Sequence, residues 1–360
     1  MNRPRISRTI FVSSIVTALI GLFGTCAPLH EETPAATAET SPEASSDMPT
    51  PPVAFGVVPV PADNPATPEK VALGRQLYYD SRLSVDDSRS CYSCHVCENG
   101  LTDGKPVAEG ALGKALTRSS PSLWNIAYHT ELYWDGRSPS LEKQALAAWT
   151  GGNMGAKAEE AVVKINAIEG YRSQFQQVFG SDATPDNVVQ AIASYERTYL
   201  FCSDTPYDRW QAGDQNAVSD AGKRGAELFV AKAGCGSCHS GALFTDMKYH
   251  NVGIGLDKPE PDLGRHRVTS ADADKGAFKT PSLRDITRSA PYFHNGSVAT
   301  LKEAVDLMVS GGIDNPNIDR VNLKNTNLGE EEKADLIEFL KALECPCPLE
   351  APTLPQPPAQ

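Results

Sequence analysis

Cys91-Tyr92-Ser93-Cys94-His95 and Cys235-Gly236-Ser237-Cys238-His239 decide how this chain is read. Both are C-x-x-C-H, and they begin 144 positions apart, at 91 and 235. Two thiols three residues apart can form thioethers to the two vinyl groups of one haem. The histidine that follows then reaches the iron from the same side as its fifth ligand. A zinc ribbon needs its two cysteine pairs close together, and a thioredoxin-like redox pair needs a βαβ setting. Neither condition is met, since the flanks lack strand periodicity. The sequence therefore predicts two c-type haems, attached through Cys91, Cys94, Cys235 and Cys238, with His95 and His239 on the irons.

Composition limits the alternatives. The chain has 360 residues, 40% hydrophobic and 22% charged, enough for two or three domains with buried cores. Forty-five acids against 33 bases leave a net charge of −12, which argues against nucleic acid as a partner. After the first segment no long apolar run recurs, so this is not a polytopic membrane protein.

The ends are read as processing and tether. Arg3, Arg5 and Arg8 followed by the apolar stretch Ile10 to Gly24 form an export signal over 1–26. Leu22-Phe23-Gly24-Thr25-Cys26 resembles a lipoprotein cleavage box, so a lipid anchor at Cys26 is expected, with ordinary signal-peptidase cleavage as the alternative. Residues 27–68 hold 10 of the 27 prolines and read as an extended linker. The tail 346–360 holds six more and reads as a second loose end. Folded protein is expected over roughly 69–345.

Within it the chain repeats itself. Pro121-Ser122-Leu123 and Pro281-Ser282-Leu283 match at an offset of 160, as do Ile126 and Ile286, Gly136 and Gly296, and Leu141 and Leu301. Similar helices precede the two haem motifs, at Leu73-Gly74-Arg75-Gln76-Leu77-Tyr78 and at Lys223-Arg224-Gly225-Ala226-Glu227-Leu228-Phe229. The remaining periodicity is helical. Thr184-Pro185 is a cap followed by proline at the first helical position, and Val188, Val189, Ile192, Tyr195 and Tyr199 share one face. Glu330, Glu331 and Glu332 open a last helix with Leu336, Ile337, Leu340 and Leu343 on its core side. The expected fold is all-α: two cytochrome-c-like haem domains, 69–213 and 214–345, with long loops, related by internal duplication. Met308, on the amphipathic stretch from Thr300, has Ala148 as its repeat-mate. It is either core filler or a thioether ligand that raises a haem's potential.

These residues resemble the bacterial di-haem cytochrome c peroxidases and their MauG-like relatives. The resemblance covers about 69–343. It rests on Leu73-Gly74-Arg75, Thr102-Asp103-Gly104, Tyr133-Trp134-Asp135-Gly136-Arg137, Tyr195-Glu196-Arg197-Thr198, Pro281-Ser282-Leu283-Arg284 and Pro291-Tyr292-Phe293-His294-Asn295-Gly296-Ser297, together with the two haem motifs. It implies an active site at the interface of two haem domains. It makes His95 the proximal ligand of the peroxidatic haem, and His239 and Met308 the axial pair of the electron-transfer haem. In MauG itself the position of Met308 is a tyrosine. Trp134 matches the tryptophan between the haems, where an indole can relay electrons or simply pack an interface.

Two departures from the family pattern stand out. Members that need reductive activation carry a distal histidine where this chain has Ala111, so the first haem is expected to be open to peroxide when fully oxidised. The family glutamate falls at Asn153 or Met154, depending on a one-residue shift, and neither can shuttle a proton. Glu159, Glu160 or water would have to do so, or turnover is slow. The family's calcium would meet oxygens of Ser119, Ser289 and Pro291.

Cys97, Cys202, Cys345 and Cys347 remain, and an even remainder in an oxidising compartment predicts two disulfides of undetermined pairing. The expected activity is periplasmic reduction of hydrogen peroxide with electrons from a small c-type cytochrome or cupredoxin. The alternatives are a MauG-like oxidase acting on a protein partner and a non-enzymatic electron carrier.

Overall fold

The computed structural model describes residue 52 and residues 55–357. The expected export signal, Cys26 and most of the linker lie outside the described residues. Helices dominate the rest: α1 (Pro68–Tyr79), α2 (Cys91–Cys94), α3 (Leu141–Thr150), α4 (Ala158–Asn166), α5 (Glu169–Phe179), α6 (Pro185–Tyr199), α7 (Pro206–Gln211), α8 (Asp220–Val230), α9 (His266–Thr269), α10 (Leu301–Val309) and α11 (Glu330–Lys341). Among the described residues the sheet is one antiparallel pair, β1 (Tyr249–Asn251) with β2 (Ala277–Lys279). The helix-rich expectation holds.

Local chemistry sets the helix ends. The Thr184 hydroxyl accepts from Asn187 N–H, and Asn187 reaches back to Thr184, which closes both ends of the cap of α6. Thr300 and Glu303 do the same for α10. Helix α11 starts as expected, with three glutamates at its positive end and Lys341 in its last turn. The core face of α6 is the one expected, with Val188, Val189, Ile192 and Tyr195 all buried.

Two helix crossings organise two cores. Helix α1 lies on α6 so closely that a Cβ at Gly74 would sit 1.9 Å from the Ala191 carbonyl oxygen. Helix α8 lies on α11 in the same way, and a Cβ at Gly225 would sit 1.9 Å from the Asp335 carbonyl oxygen. Around the first crossing pack Leu73, Leu77, Trp149, Tyr171 and Phe175. Around the second pack Phe229, Phe244, Leu336, Phe339 and Leu340. The loops that follow each haem motif are also alike. Short turns occur at Ile126–Tyr128 and Ile286–Arg288, bridges pair Leu132 with Ser138 and Tyr292 with Val298, and capped helices begin at Leu141 and Leu301.

Both expected loose segments are in fact docked where they are described. Phe55 packs edge-on against Tyr128, with 5.8 Å between ring centroids. Asn64, 1% exposed, donates to Glu142 and to the Gln190 carbonyl. The tail lies along α1, where Arg75 and Gln76 donate to the carbonyls of Glu350 and Thr353, and Arg82 donates to that of Pro355. A proline-rich strand has free carbonyls and little entropy left to lose, which suits it to such docking. Disulfides fasten its start, Cys97 to Cys347 and Cys202 to Cys345, with Cα atoms 5.8 and 5.3 Å apart. The expected pair of disulfides is present, and its connectivity ties the end of the chain back to the first haem region.

Candidate functional site

The first haem motif sits on α2, a single turn whose start is fixed by reciprocal hydrogen bonds between Ser90 and Ser93. His95 follows it, and its Nδ1 lies 3.0 Å from the Leu101 carbonyl. A carbonyl can only accept, so Nδ1 carries the hydrogen and Nε2 keeps its lone pair for a metal. The second motif is built alike, with His239 Nδ1 3.0 Å from the Phe244 carbonyl. Burial pushes both imidazoles down and so holds them neutral, as ligands must be. Burial also raises the thiols of Cys91, Cys94 and Cys235, the last to about 11, unlike the thiolates of a zinc site. These four are the free cysteines of the described chain.

Each histidine opens onto a cavity. The first, of about 720 Å³, is lined by His95, Asn153, Gln144, Trp134 and Lys279 among others. A recess holding Cys91 and Cys94 shares His95, Gln144, Ala148 and Asn153 with it. The second cavity brings Cys235, Cys238, His239 and Met308 together, so Met308 on α10 faces the same space as His239. Trp134 and Lys279 line both cavities. The Trp134 Nε1 donates to the Ser119 carbonyl at 3.0 Å, which leaves the ring between the two spaces.

The chemistry of each donor set fits a covalently attached haem: two unpaired thiols, an imidazole with a free Nε2, and an adjoining cavity. Among the described residues one further trio, Cys238, Asp246 and His250, could hold a metal. Its imidazole is already held by Asp246 at 3.0 Å and Asp319 at 2.6 Å, and its thiol belongs to the haem motif.

Residues 68–216 match the model of the di-haem cytochrome c peroxidase family, CCP_MauG. The methylamine utilization protein MauG of Methylorubrum extorquens is 40% identical over 304 residues, 83% of this chain and 85% of that one. The cytochrome-c peroxidase IdrP1 of Denitromonas iodatirespirans is 38% identical over 331 residues, 83% of this chain and 88% of that one. The chain belongs to the di-haem cytochrome c peroxidase and MauG family. A crystal structure of a MauG-like protein associated with microbial copper homeostasis superposes with a TM-score of 0.75 at 32% identity, covering 82% of this chain and 94% of that one. The family is one of oxidoreductases carrying two c-type haems, the number the two motifs predict.

Other expected residues fall into place unevenly. Asn153 is half-buried and lines the first cavity as well as the recess. Met154 instead packs into the core at 5% exposure and touches the recess alone. Glu159 and Glu160 are exposed at the start of α4, and Glu160 pairs with Lys157, so neither reaches the cavity. Ala111 is buried outside the lining, with its N–H donating to the Asn153 carbonyl at 2.9 Å. The Oγ of Ser119 donates to the Phe293 carbonyl and that of Ser289 to the Ile286 carbonyl.

Three lining residues escaped the sequence reading. Gln144 faces the first cavity from α3. Lys279 Nζ, which burial lowers to about 8, donates to the Glu131 carbonyl at 2.6 Å and contacts His129 Nδ1 at 3.0 Å. Burial, with Lys279 beside it, lowers His129 to about 3, and its Nε2 is buried with no hydrogen-bond partner among the described residues. Because Nδ1 accepts from lysine, Nε2 carries the hydrogen and is a donor rather than an iron ligand. An isolated buried His-Lys pair has no sequence pattern that would have found it.

Mass spectrometry of the mature protein is expected to find two covalent haems, and Cys235→Ala to disrupt attachment of the second alone. One haem or none in the wild type would contradict the assignment.

Proposed function

We propose that this chain is a periplasmic di-haem peroxidase that reduces hydrogen peroxide with electrons from a small c-type cytochrome or cupredoxin. The observation that carries the reading is the pair of His-and-thiol cavities that share Trp134 and Lys279 as a wall. When bound, the haems supply an iron centre for peroxide and a redox couple that feeds it. The residues divide the remaining work. Cys91 and Cys94 attach the first haem and His95 holds its iron, while Cys235, Cys238, His239 and Met308 do so for the second. Trp134 bridges the two, and the His129 N–H and the Lys279 ammonium suit the carboxylates of a haem edge.

We infer two cytochrome-c-like units, 69–213 and 214–345, from one duplication. The matched glycine crossings and the turns and bridges recurring at an offset of 160 support it. Two disulfides favour an oxidising compartment, which supports the periplasm. No described helix is long and apolar enough to cross a membrane, and Cys26 remains the proposed lipid anchor. Calcium is proposed at the oxygens of Ser119, Ser289 and Pro291, which line the second cavity.

A MauG-like oxidase acting on a protein partner is the second reading, favoured by the 40% identity to MauG. The test is peroxide-dependent oxidation of a reduced small cytochrome or cupredoxin by the holoprotein. Sustained turnover is expected. No donor oxidation, with peroxide-dependent modification of Trp or Tyr in an offered protein, would favour the oxidase instead.

A further inference from the structure

Glu196 lies in the middle of α6 at 4% exposure, and its Oε2 is buried with no hydrogen-bond partner among the described residues. Its neighbour Arg197 turns away to Glu142 at 2.7 Å. A carboxyl left unpaired in a core is costly and packs no better than an apolar side chain, so packing alone does not account for it. The carboxyl lines the recess that holds Cys91 and Cys94, and that recess adjoins the first cavity, sharing His95, Gln144 and Asn153 with it. Asp135, the other acid lining these spaces, has its oxygens taken by Arg118 and Arg137.

We propose, resting on the peroxide-reducing reading above, that Glu196 is the proton donor for peroxide cleavage at the first haem. The family carboxyl falls at Asn153 or Met154, and neither can act as an acid. Reduction of hydrogen peroxide to two waters takes two electrons, which the haem centres pass on from the donor protein, and two protons. The O–O bond breaks, and the departing oxygen leaves as water with a proton from the Glu196 carboxyl. The carboxylate then regains a proton from solvent. The second oxygen becomes the second water as the remaining proton and electrons arrive.

Burial pushes the Glu196 carboxyl up to about 8, with Arg197 opposing and Glu142 assisting, so it is protonated at neutral pH as an acid must be. Tyr78 of α1 and Cys91 of α2 also face it. Lys279, lowered to about 8, lines the first cavity, so an alkaline fall in rate alone does not identify the donor.

The test compares wild-type, Glu196→Gln and Lys279→Met holoproteins. Glu196→Gln is expected to keep both haems, to lower kcat with peroxide by roughly 10²–10⁴-fold, and to lose the alkaline fall near pH 8. Infrared spectra should show a protonated-carboxyl C=O band in the wild type that Glu196→Gln removes. Adding Asn153→Glu to that variant should restore part of the rate. Unchanged kcat and pH profile in Glu196→Gln, or a fall that only Lys279→Met abolishes, would overturn the proposal. A wild type inert to peroxide would instead overturn the peroxidase reading, while a missing carboxyl band would still count against Glu196 itself.

Discussion

Serine at both Cys97 and Cys347 is expected to cost the folded protein about 2–4 kcal/mol and to disturb the ligation of the first haem. The bridge closes a sequence separation of 250 residues, so reducing it frees a large unfolded ensemble. Its local effect is on function. Cys97 begins the turn Cys97–Asn99, two residues after His95, and that turn leads to the Leu101 carbonyl that orients the His95 ring. Loss of the anchor leaves the ring less well held. Thermal melts and the visible spectrum of the holoprotein would show it: a lower Tm with a changed first-haem band. A double serine variant matching the wild type in both would mean that the Cys202–Cys345 bridge and the hydrogen bonds of the tail suffice to hold it.

Asp285→Ala should be of similar size, about 3–5 kcal/mol, toward the lower end because Arg288 is partly exposed. Asp285 is fully buried, accepts from Trp124 Nε1 at 2.8 Å and Cys345 N–H at 3.2 Å, and accepts from Nε and Nη2 of Arg288, each at 2.7 Å. One carboxylate thus joins Trp124 of the first cavity's wall, Arg288 and the disulfide-bonded tail. Removing it leaves a buried indole N–H without its acceptor and the Arg288 guanidinium with the Cys345 carbonyl alone. Urea unfolding would measure the loss, and a change under 1 kcal/mol would show that these donors find other partners.

How much of this was legible in the sequence follows the range of the interactions. The haem motifs are local and carry their chemistry in five residues, so the expectation for His95, His239 and the four thiols needs nothing distant in the chain. Helices α6 and α11 were plain too, because a cap and one apolar face fix them locally. The number of disulfides followed from arithmetic on the cysteines, but their pairing did not, since it depends on where the tail runs. The tail and the end of the linker were misread as loose. Proline content marks extended chain, yet it does not tell whether Arg75, Arg82 or Glu142 waits to bind that chain. Between Asn153 and Met154 the sequence could not choose, because a one-residue shift in a glycine-rich turn leaves no pattern behind. Glu196 was visible only as part of a family motif, and its missing partner becomes apparent only once α1, α2 and α3 are packed around it.

The most direct measurement of the account mixes fully oxidised holoprotein rapidly with hydrogen peroxide and follows the haem spectrum. The family resemblance sets Ala111 where members needing reductive activation carry a distal histidine, and His129 Nδ1 accepts from Lys279, so we propose that no histidine fills the sixth position of the first iron. The prediction is an immediate spectral change at the His95 haem without prior reduction, followed by oxidation of a reduced donor protein. A protein that stays unchanged in peroxide, oxidised or reduced, would contradict it.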